Sequence, residues 1–452
     1  MSAPSPRHSD GPLGHPAGLL TLFFTEMWER FSYYGMRALL MLFMVAEAAR
    51  GGLGLDVKRA AMIYGLYTSM VYFMAIPGGL AADRFLGPRR AVFLGGILIA
   101  LGHFCLVFHA LPTFFGGLIL IVAGTGLLKP NISVLVGQLY RPGDARRDAG
   151  FSIFYMGINL GATISPIICG WLGQTIGWHW GFAAAGVGMS FGVAQFWFGQ
   201  RRSRGAAAPG RPDLTPGPST FRDDPPSGTF RKPLASAFTP SEWKRVAAIG
   251  VLFIFSCVFW TAFEQAGSSF NLFADQKTRT AILGRSFPSS WLQAVGPALI
   301  ILLAPVFAWL WLKLGPREPS SPAKFALGLL FVGIGPLLLA IASLLSGGAD
   351  VRVSPVWLVL VYLAQTIGEL CLSPVGLSTV TKLAPPRIVG LMMGVWFLSL
   401  SVGNYAAGWV AGFFGSLPLP QLFGSLFLAT ALSAFILALL IRPLRGLMGG
   451  VH

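Results

Sequence analysis

The stretch RRSRGAAAPGRPDLTPGPSTFRDDPPSGTFRKPLASAFTPS, residues 201–241, is a polar interruption in a chain otherwise dominated by apolar runs. It is rich in Pro, Gly and Ser, a composition that favours a flexible linker. It contains no run of roughly 20 apolar residues, the length that a membrane-spanning helix needs. Six such runs precede it and six follow it, so the stretch divides the chain into two halves.

These apolar runs predict twelve membrane-spanning helices, which we number as spans 1–12. They cover residues 18–48, 59–82, 90–110, 112–140, 149–172, 179–199, 246–273, 290–313, 324–346, 355–382, 387–414 and 421–441. The predicted parts are a tail (1–17), a six-helix bundle (18–199), a linker (200–245), a second six-helix bundle (246–441) and a tail (442–452). The predicted fold class is therefore an all-α membrane protein built from two six-helix bundles.

The composition supports a membrane protein. The chain has 452 residues, of which 54% are hydrophobic and only 11% charged, and its mean hydropathy is +0.66. A soluble protein carries about 25% charged residues. The net charge of +16 would suit nucleic acid, but Lys and Arg gather at span ends and in the linker, where they face lipid headgroups. We therefore expect no nucleic-acid partner and a lipid bilayer as the surroundings.

The distribution of positive charge predicts the topology. With a cytoplasmic N-terminus, 23 of the 33 Lys and Arg lie on the cytoplasmic side and 7 on the opposite side. The remaining three, Arg30, Arg37 and Lys129, lie within spans. The positive-inside rule then places both termini in the cytoplasm. We expect a multi-pass protein of the cell's inner (plasma) membrane.

Charged residues inside the spans are few and therefore informative. A charge at the bilayer centre costs on the order of 2.5–3.5 kcal/mol even on the most lenient scale, so such groups line a wet cavity or pair with one another. They mark candidate functional sites. Six are singled out: Glu26, Glu29 and Arg30 in span 1, Lys129 in span 4, Glu264 in span 7 and Glu369 in span 10.

The charges of span 1 share one helical face. In FTEMWERFSYYG (24–35), Glu26 and Glu29 are three residues apart, and Glu26 and Arg30 are four apart. That face is predicted to border the cavity between the halves. A structural ion pair or a cluster at the membrane interface is the alternative interpretation.

The remaining charges suit a substrate that carries both signs. A carboxyl group holds a proton more tightly when it is desolvated and less tightly beside a cation. Glu264 and Glu369 can therefore load and release protons as their surroundings change. Lys129 and Glu369 lie in opposite halves, and a zwitterion bound between them would draw the halves together. Snorkelling of Lys129 to the interface is the alternative for that residue.

Five blocks of the chain carry a family resemblance. They are EMWERFSYYG (26–35), KPNISVLVGQLY (129–140), DAGFSIFYMGINLGATISPIICGWLG (148–173), FWTAFEQAGSSFNLFADQ (259–276) and GELCLSPVGLSTVTKLAP (368–385). Together they resemble the proton-dependent oligopeptide transporter (POT) family of the major facilitator superfamily. GGLAADRFLGPRR (78–90) is similar to the superfamily motif between spans 2 and 3. The resemblance implies the major-facilitator fold, with a substrate site between the halves near mid-bilayer.

The resemblance also implies an activity and the groups that drive it. The expected function is a proton-coupled symporter that imports di- and tripeptides by alternating access. The proton is the coupling ion, and no other cofactor or metal is implied. Glu26 and Glu29 would couple protons and interact with Lys129, whereas Arg30 and Glu264 would form a proton-sensitive pair on the extracellular side.

Substrate contacts follow from the same resemblance. Arg30 and Lys129 would bind the peptide carboxylate, Glu369 the amino terminus and Asn159 the peptide backbone. The side-chain pockets would be lined by Tyr33, Tyr34, Tyr72 and Trp396. Two departures stand out: the linker cannot encode the two extra helices of many bacterial members, and span 8 has Gly296 where the family often has Asn.

Three alternatives remain. The chain could carry another zwitterionic or anionic solute, such as an amino acid, nitrate or a drug-like molecule. It could also be a peptide receptor that does not transport. An enzyme is disfavoured because the sequence offers no recognisable triad or metal set, so we expect no catalytic residues. We expect a monomer.

Overall fold

The computed structural model describes residues 14–16, 18–108, 110–140, 144, 146–205, 238–282, 284–346, 351–385 and 388–448. This part of the chain is built almost entirely from helices. The α-helices are α1 (Gly18–Val45), α2 (Val57–Phe73), α3 (Ala75–Ala81), α4 (Pro88–Cys105), α5 (Leu111–Gln138), α6 (Arg147–Trp171), α7 (Trp178–Gly205), α8 (Pro240–Phe263), α9 (Ser269–Lys277), α10 (Val295–Leu314), α11 (Ser321–Leu345), α12 (Val356–Leu383), α13 (Val389–Ala411) and α14 (Leu419–Met448).

The fourteen helices form the twelve predicted spans in the predicted order. Span 2 consists of α2, α3 and a π-helical turn at Ala82–Leu86. Span 7 consists of α8 and α9, which are separated by a 3-10 turn at Glu264–Gly267. Every other span contains one α-helix, so the prediction of an all-α, twelve-span protein is confirmed.

Several helices extend past the predicted spans. The helix α7 continues to Gly205 and α8 begins at Pro240, so both enter the segment predicted as linker (200–245), while α14 continues to Met448 inside the predicted tail (442–452). Hydropathy detects only the apolar part of a helix, whereas Lys and Arg are good helix formers with apolar stems. Residues 206–237 of the linker, and most of both tails, lie outside the described residues.

The start of α8 is fixed by its own sequence. The hydroxyl of Thr239 accepts a hydrogen bond from the Glu242 amide (3.2 Å), and the Glu242 carboxylate accepts one from the Thr239 amide (2.8 Å). This is a capping box, and Pro240 occupies the first turn, where its missing N–H costs nothing. The second bundle therefore begins at a defined residue.

Ten helical segments of the described chain are long and apolar enough to cross a membrane. The helices α1 and α4 are the long ones that do not qualify. In α1 the reason is its charge, because Glu26, Glu29, Arg30 and Arg37 all lie within 28 residues. Span 1 is therefore stabilised by its neighbours in the protein rather than by lipid.

Contacts between the two halves include those of spans 2 and 11, spans 5 and 8, and spans 1 and 7. Spans 2 and 11 approach so closely that a Cβ on Gly65 would lie 2.7 Å from the Cα of Gly408. Spans 5 and 8 are joined by Gln174, whose amide donates to Ser289 Oγ (2.8 Å). Spans 1 and 7 are joined by Asn271, which donates to the Ala38 carbonyl (2.9 Å).

These contacts all lie toward one end of the molecule, where α1 ends at Val45. We call it the Val45 end. The deepest hydrogen bond between the halves within the described residues joins Ser69 and Ser401 (2.9 Å), each roughly halfway along its span. Within the described residues, hydrogen bonds between the halves therefore extend only from the Val45 end to about mid-span.

A small β-hairpin departs from the all-helical prediction. Strands β1 (Ala281–Ile282) and β2 (Arg285–Ser286) pair antiparallel between spans 7 and 8. Gly284 in the turn has φ of +78°, a left-handed conformation that glycine adopts without strain. Thr278 also bridges to Val353 in the segment before span 10, so the loops at this end are tied together.

We predict that Gly65→Ala lowers the free energy of unfolding by about 1–3 kcal/mol, because the new methyl group meets the backbone of span 11. The thermal unfolding midpoint in detergent should fall accordingly. Gly250→Ala is the matched control, since a Cβ at Gly250 in α8 meets no atom within 4 Å. Equal midpoints for the two variants would contradict the close contact between spans 2 and 11.

Candidate functional site

Arg30 organises the charged face of span 1. Its Nε lies 3.2 Å from Glu26 Oε1, and it also donates to the Glu29 carboxylate. All three side chains are at most 3% exposed. The prediction that they cluster on one side of the helix is confirmed, and the α-helix explains it, since Glu29 and Arg30 lie three and four residues after Glu26.

This cluster keeps unused hydrogen-bonding capacity. Glu26 Oε2, Glu29 Oε1 and one terminal nitrogen of Arg30 have no partner among the described residues. Buried polar atoms are nearly always hydrogen-bonded, and exceptions tend to have a functional explanation. The cluster can therefore accept protons on its carboxylates and bind an anionic group through Arg30.

Lys129 lies beside an aromatic ring. Its Nζ is 3.9 Å from the ring centroid of Tyr72, a cation–π distance. Within the described residues Lys129 forms no ion pair, so the expected contact with Glu26 or Glu29 is not made in this structure. A half-buried ammonium on an aromatic face suits a ligand carboxylate, because its charge is not already neutralised.

Glu264 pairs with a different arginine from the one predicted. The predicted partner, Arg30, contacts Glu26 and Glu29 instead, and the Glu264 carboxylate binds the guanidinium of Arg37. The position of Arg37 on the helix explains this pairing. Arg37 lies seven residues beyond Arg30 on the same helical face, two turns nearer the Val45 end.

The Arg37–Glu264 pair connects the two halves. Both residues are buried, and Arg37 Nε also donates to the hydroxyl of Tyr64 in span 2 (2.5 Å). Arg37 lies about 6 Å from the rings of Tyr34 and Tyr64, so aromatic groups flank the pair. Sequence reasoning placed Arg37 within a span but gave neither it nor Tyr64 a role beside Glu264, although the seven-residue spacing of Arg37 from Arg30 was a usable signal.

A break in span 7 positions Glu264. The α-helix ends at Phe263, and the 3-10 turn Glu264–Gly267 follows before α9 begins. The side chain of Gln265 holds this turn against span 11 by donating to the Ala407 carbonyl (3.1 Å). The carboxylate of Glu264 therefore sits at a fixed discontinuity rather than on a continuous helical face.

The C-terminal half contributes one isolated carboxylate. Glu369 in α12 is half-buried and has no ion pair or hydrogen bond among the described residues. In the same half, Trp396 is buried and its ring packs edge-on against Phe325, with centroids 5.9 Å apart. The two halves thus carry free charges of opposite sign, Lys129 and Glu369.

The remaining predicted residues lie on the helices of the N-terminal half. Asn159 in α6 is buried, and its amide donates to the Tyr155 carbonyl one turn earlier (3.1 Å). The rings of Tyr33 and Tyr34 contact each other at right angles, with centroids 5.2 Å apart. Tyr33 is buried and Tyr34 is half-buried. Their predicted contacts with substrate stay predictions.

Comparison with known proteins identifies the family. The sequence model of the POT family matches residues 89–210 and 225–421, which is most of the chain. The chain belongs to the POT family. The expectation from the five sequence blocks is therefore confirmed, and the chain is a multi-pass membrane protein with the major-facilitator fold.

POT relatives match over nearly their whole length. The peptide transporter YePEPT of Yersinia enterocolitica is 42% identical, over 97% of this chain and 96% of its own. A di-/tripeptide transporter of Lactococcus lactis subsp. cremoris is 37% identical over 97% and 98%. A crystal structure of a POT peptide transporter in complex with alafosfalin has a TM-score of 0.87 and 40% identity, and covers 97% of both chains.

We predict that Arg37 and Glu264 are energetically coupled and that Arg30 and Glu264 are not. Arg37→Leu alone should cost about 3–5 kcal/mol of stability, because it leaves a buried carboxylate unpaired. Adding Glu264→Leu should recover most of that loss. Thermal unfolding of the single and double variants gives two double-mutant cycles, one for Arg37 with Glu264 and one for Arg30 with Glu264. Additive effects in the Arg37/Glu264 cycle, or coupling in the Arg30/Glu264 cycle, would contradict the assignment.

Proposed function

We propose that this POT family member is a proton-coupled symporter that imports di- and tripeptides by alternating access. The observation that supports it most directly is the pairing of free, opposite charges across the two halves. Lys129 offers an ammonium without an ion-pair partner in the described residues, and Glu369 offers such a carboxylate. A peptide with free termini is complementary to this arrangement. The YePEPT and Lactococcus relatives carry the peptide-transporter name.

The proposed binding mode follows from these charges. The peptide carboxylate binds Lys129 and the spare guanidinium nitrogen of Arg30, and the amino terminus binds Glu369. Asn159 contacts the peptide backbone once its amide leaves the Tyr155 carbonyl. The side-chain pockets are formed by Tyr33, Tyr34, Tyr72 and Trp396. No cofactor other than the coupled proton is required.

Proton coupling is proposed to act through Glu264 and the Glu26–Glu29–Arg30 cluster. A protonated Glu264 has no charge with which to hold Arg37, so the Val45 end opens. Loss of that proton restores the pair and closes this end again. In the proposed orientation, with both termini cytoplasmic in the inner membrane, the Val45 end faces outward, and the proposed state with this end closed is inward-facing. The binding site lies within one chain, so the proposed unit is a monomer.

A second candidate is transport of another zwitterionic solute. Gly296 in span 8 offers no side chain to a peptide amino group, and a Cβ there would lie 3.8 Å from the ring of Tyr362. One POT transporter structure, 34% identical with a TM-score of 0.86, contains 5-aminolevulinic acid and covers 96% of this chain and 98% of its own. A zwitterionic amino acid carries the same two charges that Lys129 and Glu369 complement in a peptide.

We predict that the protein, reconstituted in proteoliposomes, exchanges labelled dialanine in a counterflow assay. An inward proton gradient should drive accumulation of the peptide. Lys129→Ala and Glu369→Ala should each reduce uptake at least tenfold, since each removes the group that binds one peptide terminus. Lys313→Ala is the control, because Lys313 is exposed and stacks on Trp309 at the end of span 8.

Three results separate the alternatives. Uptake of 5-aminolevulinic acid without dialanine uptake would favour the second candidate. Dialanine uptake that ignores the gradient would remove proton coupling. Normal uptake by Lys129→Ala or Glu369→Ala would contradict the proposed docking polarity.

A further inference from the structure

Tyr67 in span 2 carries a buried hydroxyl that its packing does not explain. The residue is 4% exposed and lies in a core cluster with Tyr33 and Tyr64. Its hydroxyl has no hydrogen-bond partner among the described residues. Burying an unsatisfied hydroxyl is unfavourable, and Phe would fill the same space without that cost. The hydroxyl therefore calls for a reason other than packing.

The register of spans 1 and 2 places Tyr67 between two charged centres. The two spans run antiparallel, and the contact between Arg37 and Tyr64 fixes their relative height. Three residues further along span 2, Tyr67 stands level with Tyr34 of span 1. Arg30 lies seven residues from Arg37, or roughly 10 Å along the axis. Tyr67 is thus at an intermediate height.

The neighbours of Tyr67 belong to both centres. Tyr67 shares a buried core cluster with Tyr64 and Tyr33. The Tyr64 hydroxyl accepts a hydrogen bond from Arg37, which pairs with Glu264. The Tyr33 ring faces Arg30, which pairs with Glu29. No carboxylate of the described residues is shared by the two centres, so a proton that passes between them needs an intermediate group.

Tyr33 supplies a second hydroxyl at the same height. It is 1% exposed, and its hydroxyl is also without a partner in the described part of the chain. The Arg30 guanidinium lies 5.3 Å from the ring centroid of Tyr33, so Tyr33 contacts the cluster of Glu26, Glu29 and Arg30. Two buried hydroxyls without partners among the described residues therefore belong to residues whose heights lie between those of Arg37 and Arg30.

We propose that the Tyr67 hydroxyl relays protons between Glu264 and Glu29, with Tyr33 and solvent water completing the path. A hydroxyl donates and accepts hydrogen bonds at once. In the relay, Tyr67 accepts a proton from the Glu264 side and gives its own proton toward Glu29. One O–H bond forms as another breaks, so Tyr67 is neutral before and after. The inference rests on the proposed function and names a residue through which coupling occurs.

The test is Tyr67→Phe, which removes the hydroxyl and keeps the ring. We expect counterflow exchange of dialanine within twofold of wild type, because peptide binding and the conformational change do not need the relay. Accumulation driven by an imposed proton gradient should fall at least tenfold. The thermal unfolding midpoint should be no lower than that of wild type. Tyr405→Phe, the same change at an exposed site in span 11, should leave both transport modes unaltered.

Each other outcome overturns the relay. Wild-type accumulation in Tyr67→Phe means that protons pass without the hydroxyl. If Tyr67→Phe loses both exchange and accumulation, Tyr67 acts in peptide binding. If its unfolding midpoint is lower than that of wild type, Tyr67 has a structural role. A wild-type protein that exchanges no dialanine is a distinct result: it overturns the proposed function itself and leaves the relay nothing to couple.

Discussion

The buried ion pair between Arg37 and Glu264 is the interaction on which the closed end of this molecule depends. It joins span 1 of one half to the broken region of span 7 in the other. Removing one partner from such a pair is costly, since the other charge stays buried and unpaired. Protonation of the Glu264 carboxylate would remove its negative charge and so weaken the pair without any mutation. A proton can therefore control whether the two halves stay together at the Val45 end.

Span 1 concentrates the charges that this control requires. Arg30 forms ion pairs with two glutamates, and Arg37 reaches the opposite half two turns later along the same face. A helix with these charges is costly to expose to lipid, so other spans of the protein surround it. Close packing of other spans also holds the halves together at this end. Gly65 and Gly408 allow spans 2 and 11 to touch through their backbones beside the pair.

The sequence predicts much of this architecture, because hydropathy, helical spacing and family motifs are local signals. The twelve spans, the shared face of Glu26, Glu29 and Arg30, and the family all follow from such signals. The partner of Glu264 does not. Arg30 and Arg37 lie on the same face, and which of them reaches Glu264 depends on how spans 1 and 7 are offset, a tertiary property set by packing and by the 3-10 turn. The helical ends at 200–205 and 240–245 were missed because hydropathy does not register polar helix.

Double electron–electron resonance between the two halves measures whether the Arg37–Glu264 pair holds the Val45 end closed. Spin labels at residues 59 and 416, both exposed at the Val45 end, report its opening once the four native cysteines are replaced. Among the described residues, the Arg59 side chain pairs only with Asp56, and both are exposed, so labelling position 59 costs little stability. In the parent protein, most molecules should show a short distance between the labels. In Glu264→Gln, the fraction of molecules with a longer distance should increase. An unchanged distance distribution in Glu264→Gln would contradict the claim that the Arg37–Glu264 pair holds this end closed.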